Sequence, residues 1–412
     1  MQNNPESSTH HHYPLSPESL SNEIKFLIAC CQTTPTEEDT AFITACLNTS
    51  SQSDDTYPLS LSTITTMASR HGVLPLVYKT LKDLGQTNNT ITTHSHYHTL
   101  TAKLKAHYQA IVQKNMLMGA ELLRIMKLFK ENNIEALAFK GPTLAQMAYG
   151  DITLRQYSDL DIFVKESQKQ KVVSLLLKNG YADILDFIPE QKILWYSNAK
   201  EINLYHSEKS IYIDLQWLLF DKNYPLHYHY DTLWEKTSTV KLNNHHISIF
   251  SPENLLIYLS IHGAKHLFER IGWIKDIDLF LRTQSINWHQ VDRHMKHSDF
   301  KRMFLLGLYL SKELFNTPIP EKYIQQCENQ PWLRKVNTFI IEDWIEHKNF
   351  IYNTIAMLYL FPSTKQKLGY LNKVIFKPSK NEYRFVTLPD RWHWVYYFIR
   401  PFLLLKKYLS SS

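Results

Sequence analysis

Leu137-Ala-Phe-Lys140-Gly-Pro-Thr143-Leu-Ala-Gln-Met-Ala-Tyr-Gly150-Asp-Ile-Thr-Leu-Arg155-Gln-Tyr-Ser158-Asp-Leu-Asp161-Ile-Phe-Val164 is the stretch on which the reading of this chain turns. From Ser158 to Val164, two carboxylates lead into an apolar run, the pattern of a buried strand. A strand sends residues i and i+2 to one face, so Asp159 and Asp161 point the same way. Two carboxylates that close raise each other's pKa, and keeping both ionised calls for a cation between them. A hard divalent ion, Mg²⁺ or Mn²⁺, answers that need, bound by carboxylates together with substrate phosphates.

Upstream, 134–139 reads as a short buried strand, and Gly141-Pro142 opens a helical run that ends near Tyr149-Gly150. Proline at the first helical position and glycine at the far end fit that assignment. Lys140 and the free amides at Gly141 then face an incoming anion, because a helix start carries unpaired N–H donors and partial positive charge. Thr143 is a hydroxyl donor to the same anion, and Arg155 a charge-assisted clamp on a triphosphate.

Four segments carry a resemblance: Phe139-Lys-Gly-Pro, Arg155 through Val164, Ile211-Tyr-Ile-Asp214-Leu-Gln-Trp217, and Ser260-Ile-His262-Gly-Ala-Lys265-His266. Together they resemble an uncharacterised bacterial nucleotidyltransferase family of the DNA polymerase β-like superfamily, over roughly residues 60 to 285. That pattern implies a strand, a glycine-containing turn and helix, a strand bearing Asp-x-Asp, and a third carboxylate on a neighbouring strand. The third carboxylate falls on Asp214, which alternates with Ile211, Ile213 and Leu215 and so faces away from them. The resemblance implies that Asp159, Asp161 and Asp214 hold the metal and act in catalysis, Asp214 also taking the proton of the attacking hydroxyl. It further implies an NTP pocket that includes Lys140, Gly141, Thr143, Arg155, Ser158, His262, Lys265 and His266. Two departures stand out: Gly141-Pro142 replaces the superfamily's Gly-Gly or Gly-Ser turn, and Gln216 stands where the family has histidine. The acceptor is unknown. The family's frequent neighbourhood of surface-polysaccharide and peptide natural-product genes points to an intermediate of that kind.

The 412 residues, 44% hydrophobic and 20% charged, describe an ordinary globular chain with room for two or three domains. Only 10 glycines are present, which favours helices, and neither G-x-G-x-x-G nor a Walker A motif occurs. A net charge of +6 is mild and gives no strong nucleic-acid signal. Four cysteines without a C-x-x-C pair suit a reduced, cytoplasmic setting, and the polar start of the chain lacks the features of an export signal.

The expected fold is α+β: a small mixed nucleotidyltransferase sheet flanked by helices, with largely helical N-terminal and C-terminal lobes. Residues 1–16, with His10-His11-His12, form a loose tail, 17–132 a helical lobe, 133–250 the catalytic core and 251–412 a helical region. Helices are expected over 17–31, from Thr36, over 61–84 and over 94–132, where Met116, Met118 and Met126 read as core filling. Residues 50–57 are a polar linker, and His227 to His229 a loop. In the core, a helix over 165–179 closed by Gly180 precedes strands at 181–188, 200–206, 210–217 and 241–250. A helix over 253–270 then carries His262 and His266 on one face. Asp276-Ile-Asp278 also spells D-x-D but lies in a helical run, where i and i+2 do not share a face. Asp276 is expected to pair with Lys265 or a histidine. Further helices follow at 288–296, 300–315, 331–347 and 351–361. The aromatic, basic segment 391–409 is too short and too interrupted to span a bilayer. It either docks on the body as a capping helix, the favoured reading, or rests on an anionic membrane surface. Two other functions compete with nucleotidyl transfer: a catalytically inactive nucleotide-binding or partner-docking module, and a toxin-like tRNA nucleotidyltransferase.

Overall fold

The computed structural model describes residues 20–48, 60–222, 224–226, 230–296, 298–328, 330–346 and 349–409. The expected tail, the 50–57 linker and the His227–His229 loop lie outside these. Five helices open the chain: α1 (Asn22–Cys30), α2 (Glu37–Leu47), α3 (Leu61–Arg70), α4 (Leu74–Thr87) and the 37-residue α5 (Ser95–Glu131). Ser21 caps α1, and Thr36 with Asp39 forms a capping box on α2. The single helix expected over 61–84 is two, because Gly72 turns left-handed at φ +71° and Pro75 begins a new first turn.

The central segment contains β1 (Ala136–Ala138), α6 (Gly141–Leu144), β2 (Asp159–Val164), α7 (Lys169–Lys178), β3 (Ala182–Asp183), α8 (Pro189–Asn198), β4 (Glu201–His206) and β5 (Ile211–Gln216). The strands form one sheet in the order β1-β2-β5-β4-β3, with β2 and β5 parallel and the other pairs antiparallel. One face is apolar: Leu160, Ile162, Val164, Ile202, Leu204, Ile211, Ile213 and Leu215 pack with Met118, Leu122, Ile125 and Phe129 of α5 and Val172 and Leu176 of α7. Met118 is thus core, whereas Met116 faces solvent. Period-2 alternation leaves Asp159, Asp161, Asp214 and Gln216 on the opposite face.

After α9 (Asp231–Glu235), the strand expected over 241–250 is instead a hairpin of β6 (Thr237–Leu242) and β7 (His245–Phe250). Asn243 and Asn244 turn it with φ of +43° and +66°, values asparagine tolerates well. The strand expected over 181–188 is only the two-residue β3, because Pro189 soon starts α8.

Helices α10 (Pro252–Lys265), α11 (Ile271–Thr283), α12 (Trp288–Lys296) and α13 (Lys301–Phe315) follow. The helix expected to run to Arg270 stops at Lys265, because Leu267 and Phe268 adopt φ of +50° and +45°. Phe268 folds its ring onto Gly263, where an added Cβ would lie 2.2 Å from it. Its carbonyl accepts a 2.7 Å hydrogen bond from Trp344 Nε1.

The chain closes with α14 (Glu321–Cys327), α15 (Pro331–Ile345), α16 (Phe350–Leu360), α17 (Thr364–Phe376), α18 (Lys380–Phe385) and α19 (Tyr396–Leu409). A single apolar core joins residues of α1 to α4 with residues of α10 to α16, so the two helical regions are packed as one mass around the sheet. The four cysteines are free and buried. Among the described residues no helix is long and apolar enough to cross a membrane. Helix α19 docks through Tyr396, which is fully buried, stacks on Tyr383 at 4.5 Å and donates to Val386 O at 2.9 Å. Phe398, Phe402 and Leu405 on the same helix stay exposed, so the docking is one-sided.

Sheet and helices are pinned together by Arg155, whose Nε and Nη2 donate to the two oxygens of Asp276 on α11 at 2.8 and 2.9 Å. Tyr149 donates a third bond to the same carboxylate at 2.8 Å. Both charged residues are buried. Asp276→Ala leaves a guanidinium buried without its partner, and urea denaturation is expected to show a loss of about 3–5 kcal/mol. A loss below about 1 kcal/mol would contradict this role.

Candidate active site

Between the polar face of the sheet and helices α10 and α11 lies a cavity of about 420 Å³, within the usual range for small-molecule sites. Strand β2 sets Asp159 and Asp161 in it. Asp161 stands in register with Asp214 of the parallel β5, so the two side chains are neighbours across strands about 4.8 Å apart. Asn203 of β4 donates to Asp214 Oδ1 at 2.6 Å and fixes that carboxylate.

Lys140 enters from the turn after β1, with Nζ 3.1 Å from Asp161 Oδ1. Gly141 makes this turn possible: its φ is +56° and an added Cβ would come within 3.3 Å of Asp159 O. One ammonium thus faces three carboxylates, and the charge mismatch shows in the proton affinities of Asp161 and Asp214. Burial raises the Asp161 pKa, Lys140 opposes it, and Asp159 and Asp214 add to the rise, bringing it to about 7. Burial also raises Asp214, helped by Asp159 and resisted by the Asn203 hydrogen bond. Burial works against the charge of Lys140, yet Asp161, Tyr258 and Asp159 outweigh it and the pKa rises. Asp161, Asp214 and Lys140 each hold a proton more tightly than the free group does.

The opposite wall supplies positive charge. Lys265 and Arg270 line the cavity there with His262 and His266, while Lys200, paired with Glu201, lines it from the sheet beside β4. Burial, then repulsion from Lys265, lowers Lys200 to about 7. Burial also lowers Lys265 to about 8, against the pull of Asp221. Both lysines sit near their titration points, so a bound polyphosphate would restore their full charge. His262 is held neutral by burial and by Lys140. His266 belongs to the exposed rim, but its ring is packed against His262 and Trp273 at 5.0 and 5.5 Å. Its removal from bulk water and the cations beside it lower its pKa to about 3. Tyr258 stacks on His262 at 5.7 Å, and Arg270 lies over Trp273 at 5.4 Å. A continuous aromatic wall results, of the kind on which a nucleobase can stack.

Of the residues expected in the site, Lys140, Arg155, Ser158, Asp159, Asp161, Asp214, His262, Lys265 and His266 all line this cavity. Three roles need correction. Arg155 is not a free triphosphate clamp, since its guanidinium is engaged by Asp276. Asp276 pairs with Arg155 and Tyr149, not with Lys265 or a histidine. Thr143 is fully buried and donates to Lys140 O at 2.8 Å, so it braces the turn instead of meeting a ligand. The helix expected to offer its amides is the four-residue α6 running into a π turn over Ala145–Tyr149, too short for a developed helix-terminus site. Lys200, Tyr258, Arg270 and Trp273 complete the cavity without having been marked by any motif. Asp278, the other half of the second D-x-D, is fully buried with Lys275 at 2.6 Å and Arg282 at 2.7 Å and has no part in the site.

The oxygen donors and the surplus of negative charge suit a hard divalent cation. Among the described residues no three His, Cys, Asp or Glu side chains form a ready-made ion-holding group. The carboxylates therefore offer part of a shell, the arrangement Mg²⁺ accepts when substrate phosphates and water supply the remainder.

The Lys-Gly turn, the Asp-x-Asp strand and a third carboxylate on the parallel neighbour thus face one cation-lined cavity. A family model described as uncharacterised nucleotidyltransferase matches residues 58–316, and the chain belongs to that family. No curated protein matches it. Among solved structures, the lincosamide antibiotic adenylyltransferase LnuA, lincomycin-bound, is similar at 19% identity and a TM-score of 0.29, over 40% of this chain and 97% of that one. That likeness is too slight to build on.

The raised pKa of Asp161 has a stability consequence. Its protonated form is favoured in the fold, so its contribution is complete below the ordinary value of 3.8 and is lost as pH rises through about 7. Asp161→Asn removes the titration. Its stability relative to wild type is expected to increase between about pH 4 and pH 7 and to level off above, as read by urea denaturation across that range. A difference that is flat with pH would contradict the electrostatic account of the cluster.

Proposed function

We propose that this protein transfers a nucleoside monophosphate from an NTP to an acceptor hydroxyl, with Asp159, Asp161 and Asp214 holding Mg²⁺ or Mn²⁺. The observation that carries this reading is the register pair Asp161–Asp214 beside Asp159, three carboxylates sharing the single ammonium of Lys140 inside a cation-lined cavity. When bound there, the divalent ion would supply Lewis-acid polarisation of the phosphates.

The chain's own groups account for the remaining requirements. Lys200, Lys265 and Arg270 neutralise the triphosphate, and the wall from Tyr258 through His262 and His266 to Trp273 receives the base. Lys140 keeps its charge beside Asp161 and offers it to the phosphoryl oxygens. Asp214, oriented by Asn203 and raised in pKa, accepts the acceptor's proton. The acceptor oxygen bonds to the α-phosphorus, the bond from that phosphorus to the β-bridging oxygen breaks, and pyrophosphate leaves with the electron pair. The NTP and the acceptor enter from solution, and the mild net charge gives no support to tRNA as the acceptor.

The inward-turned Thr143 and the engaged Arg155 favour one competitor, a nucleotide-binding module without turnover. The two readings separate in one experiment. Purified protein is incubated with labelled ATP, CTP, GTP or UTP and millimolar Mg²⁺, and pyrophosphate release is followed. At least one NTP is expected to turn over, with Asp161→Asn and Asp214→Asn slower by about 10²-fold or more and their circular dichroism unchanged. Nucleotide-induced stabilisation with equal, background-level release from all three proteins would establish the binding module and overturn the enzyme.

A further inference from the structure

A second cavity, of about 360 Å³, lies between α8 and helices α17, α18 and α19, and it shares Lys265 with the first. Three ammonium groups reach it on two sides of one carboxylate. Lys373 and Lys377 stand 3.5 and 3.2 Å from Asp221, and Lys265 completes the set. Among the described residues Lys265 makes no ion pair within 4 Å; its Nζ lies instead over the rings of Phe220 and Tyr224, at 5.5 and 5.6 Å. Lys373 also sits over the Tyr224 ring, at 4.1 Å. Arg400 adds no free charge, because Glu382 and Ser379 hold it at 3.2 and 2.8 Å. The cavity therefore carries two positive charges beyond what Asp221 balances. Burial lowers Lys373 to about 8, as it does Lys265, so both gain from an anion brought between them. The remaining wall is aromatic, with Trp195, Tyr370, Tyr383 and Tyr397 around the opening.

We propose that this second cavity is the acceptor subsite, and that it takes a small hydroxyl-bearing organic anion whose phosphate or carboxylate lies on Lys373 and Lys377 while its body rests on the aromatic wall. The proposal rests on the nucleotidyl-transfer reading of the first cavity. Lys265, in the last turn of α10, belongs to both spaces, so an acceptor held by its anion at the far end directs its hydroxyl past Lys265 toward the triphosphate. In the transfer, the acceptor's O–H is replaced by an O–P bond, the proton passes to Asp214, and the anion keeps its charge. The floor of the pocket comes from helices beyond residue 316, outside the matched family segment. Acceptor choice would then depend in part on this chain's C-terminal helices, which supply Lys373 and Lys377.

The test uses the full chain and two kinds of probe. Glycerol 3-phosphate and glucose 6-phosphate stand for phosphates, 4-hydroxybenzoate for carboxylates, and glycerol, glucose and 4-hydroxybenzyl alcohol are their uncharged counterparts. Binding is read by calorimetric titration without nucleotide, and transfer by the labelled product in its presence. At least one charged probe is expected to bind 10-fold or more tightly than its neutral counterpart. Lys373→Gln should weaken that binding, and raise the acceptor KM, about 10-fold, while the KM for NTP and the pyrophosphate release with water as acceptor stay at wild-type values. Lys373→Arg should restore both, which a merely structural role for Lys373 would not predict. Equal binding of charged and neutral probes, or a Lys373→Gln protein that binds and turns over charged acceptors as wild type does, would overturn the acceptor subsite even with NTP turnover intact. Charged-probe binding that depends on Lys373 in a protein without any NTP turnover would keep the anion site and overturn only the transfer reading.

Discussion

Lys140 stands 3.1 Å from Asp161 in a cluster that also holds Asp159 and Asp214, and the remaining architecture can be understood as the means of tolerating that mismatch. Like charges on one sheet face repel, and burying them strengthens the repulsion. The apolar reverse face of the sheet, packed on α5 and α7, supplies the hydrophobic burial that keeps β2 and β5 adjacent despite it. Register does the rest. A slip by one residue would send Asp161 or Asp214 into the core beside Ile162 and Ile213, a cost the fold cannot meet. The same constraint keeps Asp161 beside Asp214 on the polar face of the sheet, facing the cavity.

The second organising contact is Arg155 with Asp276. It lies a few residues before the Asp-x-Asp strand and joins it to α11, whose first turn contributes Trp273 to the cavity wall. Carboxylates from the sheet and the aromatic and cationic wall from α10 and α11 must be held at a constant separation if one nucleotide is to touch both. A buried bidentate pair with a third bond from Tyr149 provides that spacing. The helix break at Leu267 and Phe268 acts in the same direction. By ending α10 at Lys265, it lets α11 turn back so that Trp273 meets His262 and His266 on one surface.

The parts of this arrangement that follow a short period were legible in the sequence. Alternation put Asp159 and Asp161 on one face and Asp214 away from the isoleucines of β5, and the helical spacing of His262 and His266 put both on one wall. What failed was whatever depended on contacts distant in the chain. Arg155 beside an Asp pair looks like a phosphate ligand until Asp276, 121 residues later, meets it. Thr143 looks available until the fold encloses it. Lys200 carries no motif because its role comes only from the approach of α10 to β4. Two local errors had local signals. Asn243-Asn244 marked the hairpin, and Pro189 marked the start of α8.

Lys265 connects the two levels of the argument about chemistry. It is a cation at the end of a helix, where the helix dipole already favours positive charge, yet burial lowers its pKa to about 8. It reaches both cavities, so anions on either side would compete for, and jointly stabilise, the same ammonium. On the proposed reading, a triphosphate alone would restore its charge, and an acceptor anion nearby would gain from the restored charge without having to pair with it directly. Two anionic substrates that would repel each other in water would, on that reading, lie in neighbouring sites, one facing Lys140, Lys200 and Arg270 and the other Lys373 and Lys377, with Lys265 between. The surplus of ammonium over carboxylate in the second cavity would then serve an anionic acceptor, and an enzyme with a neutral acceptor would not need it.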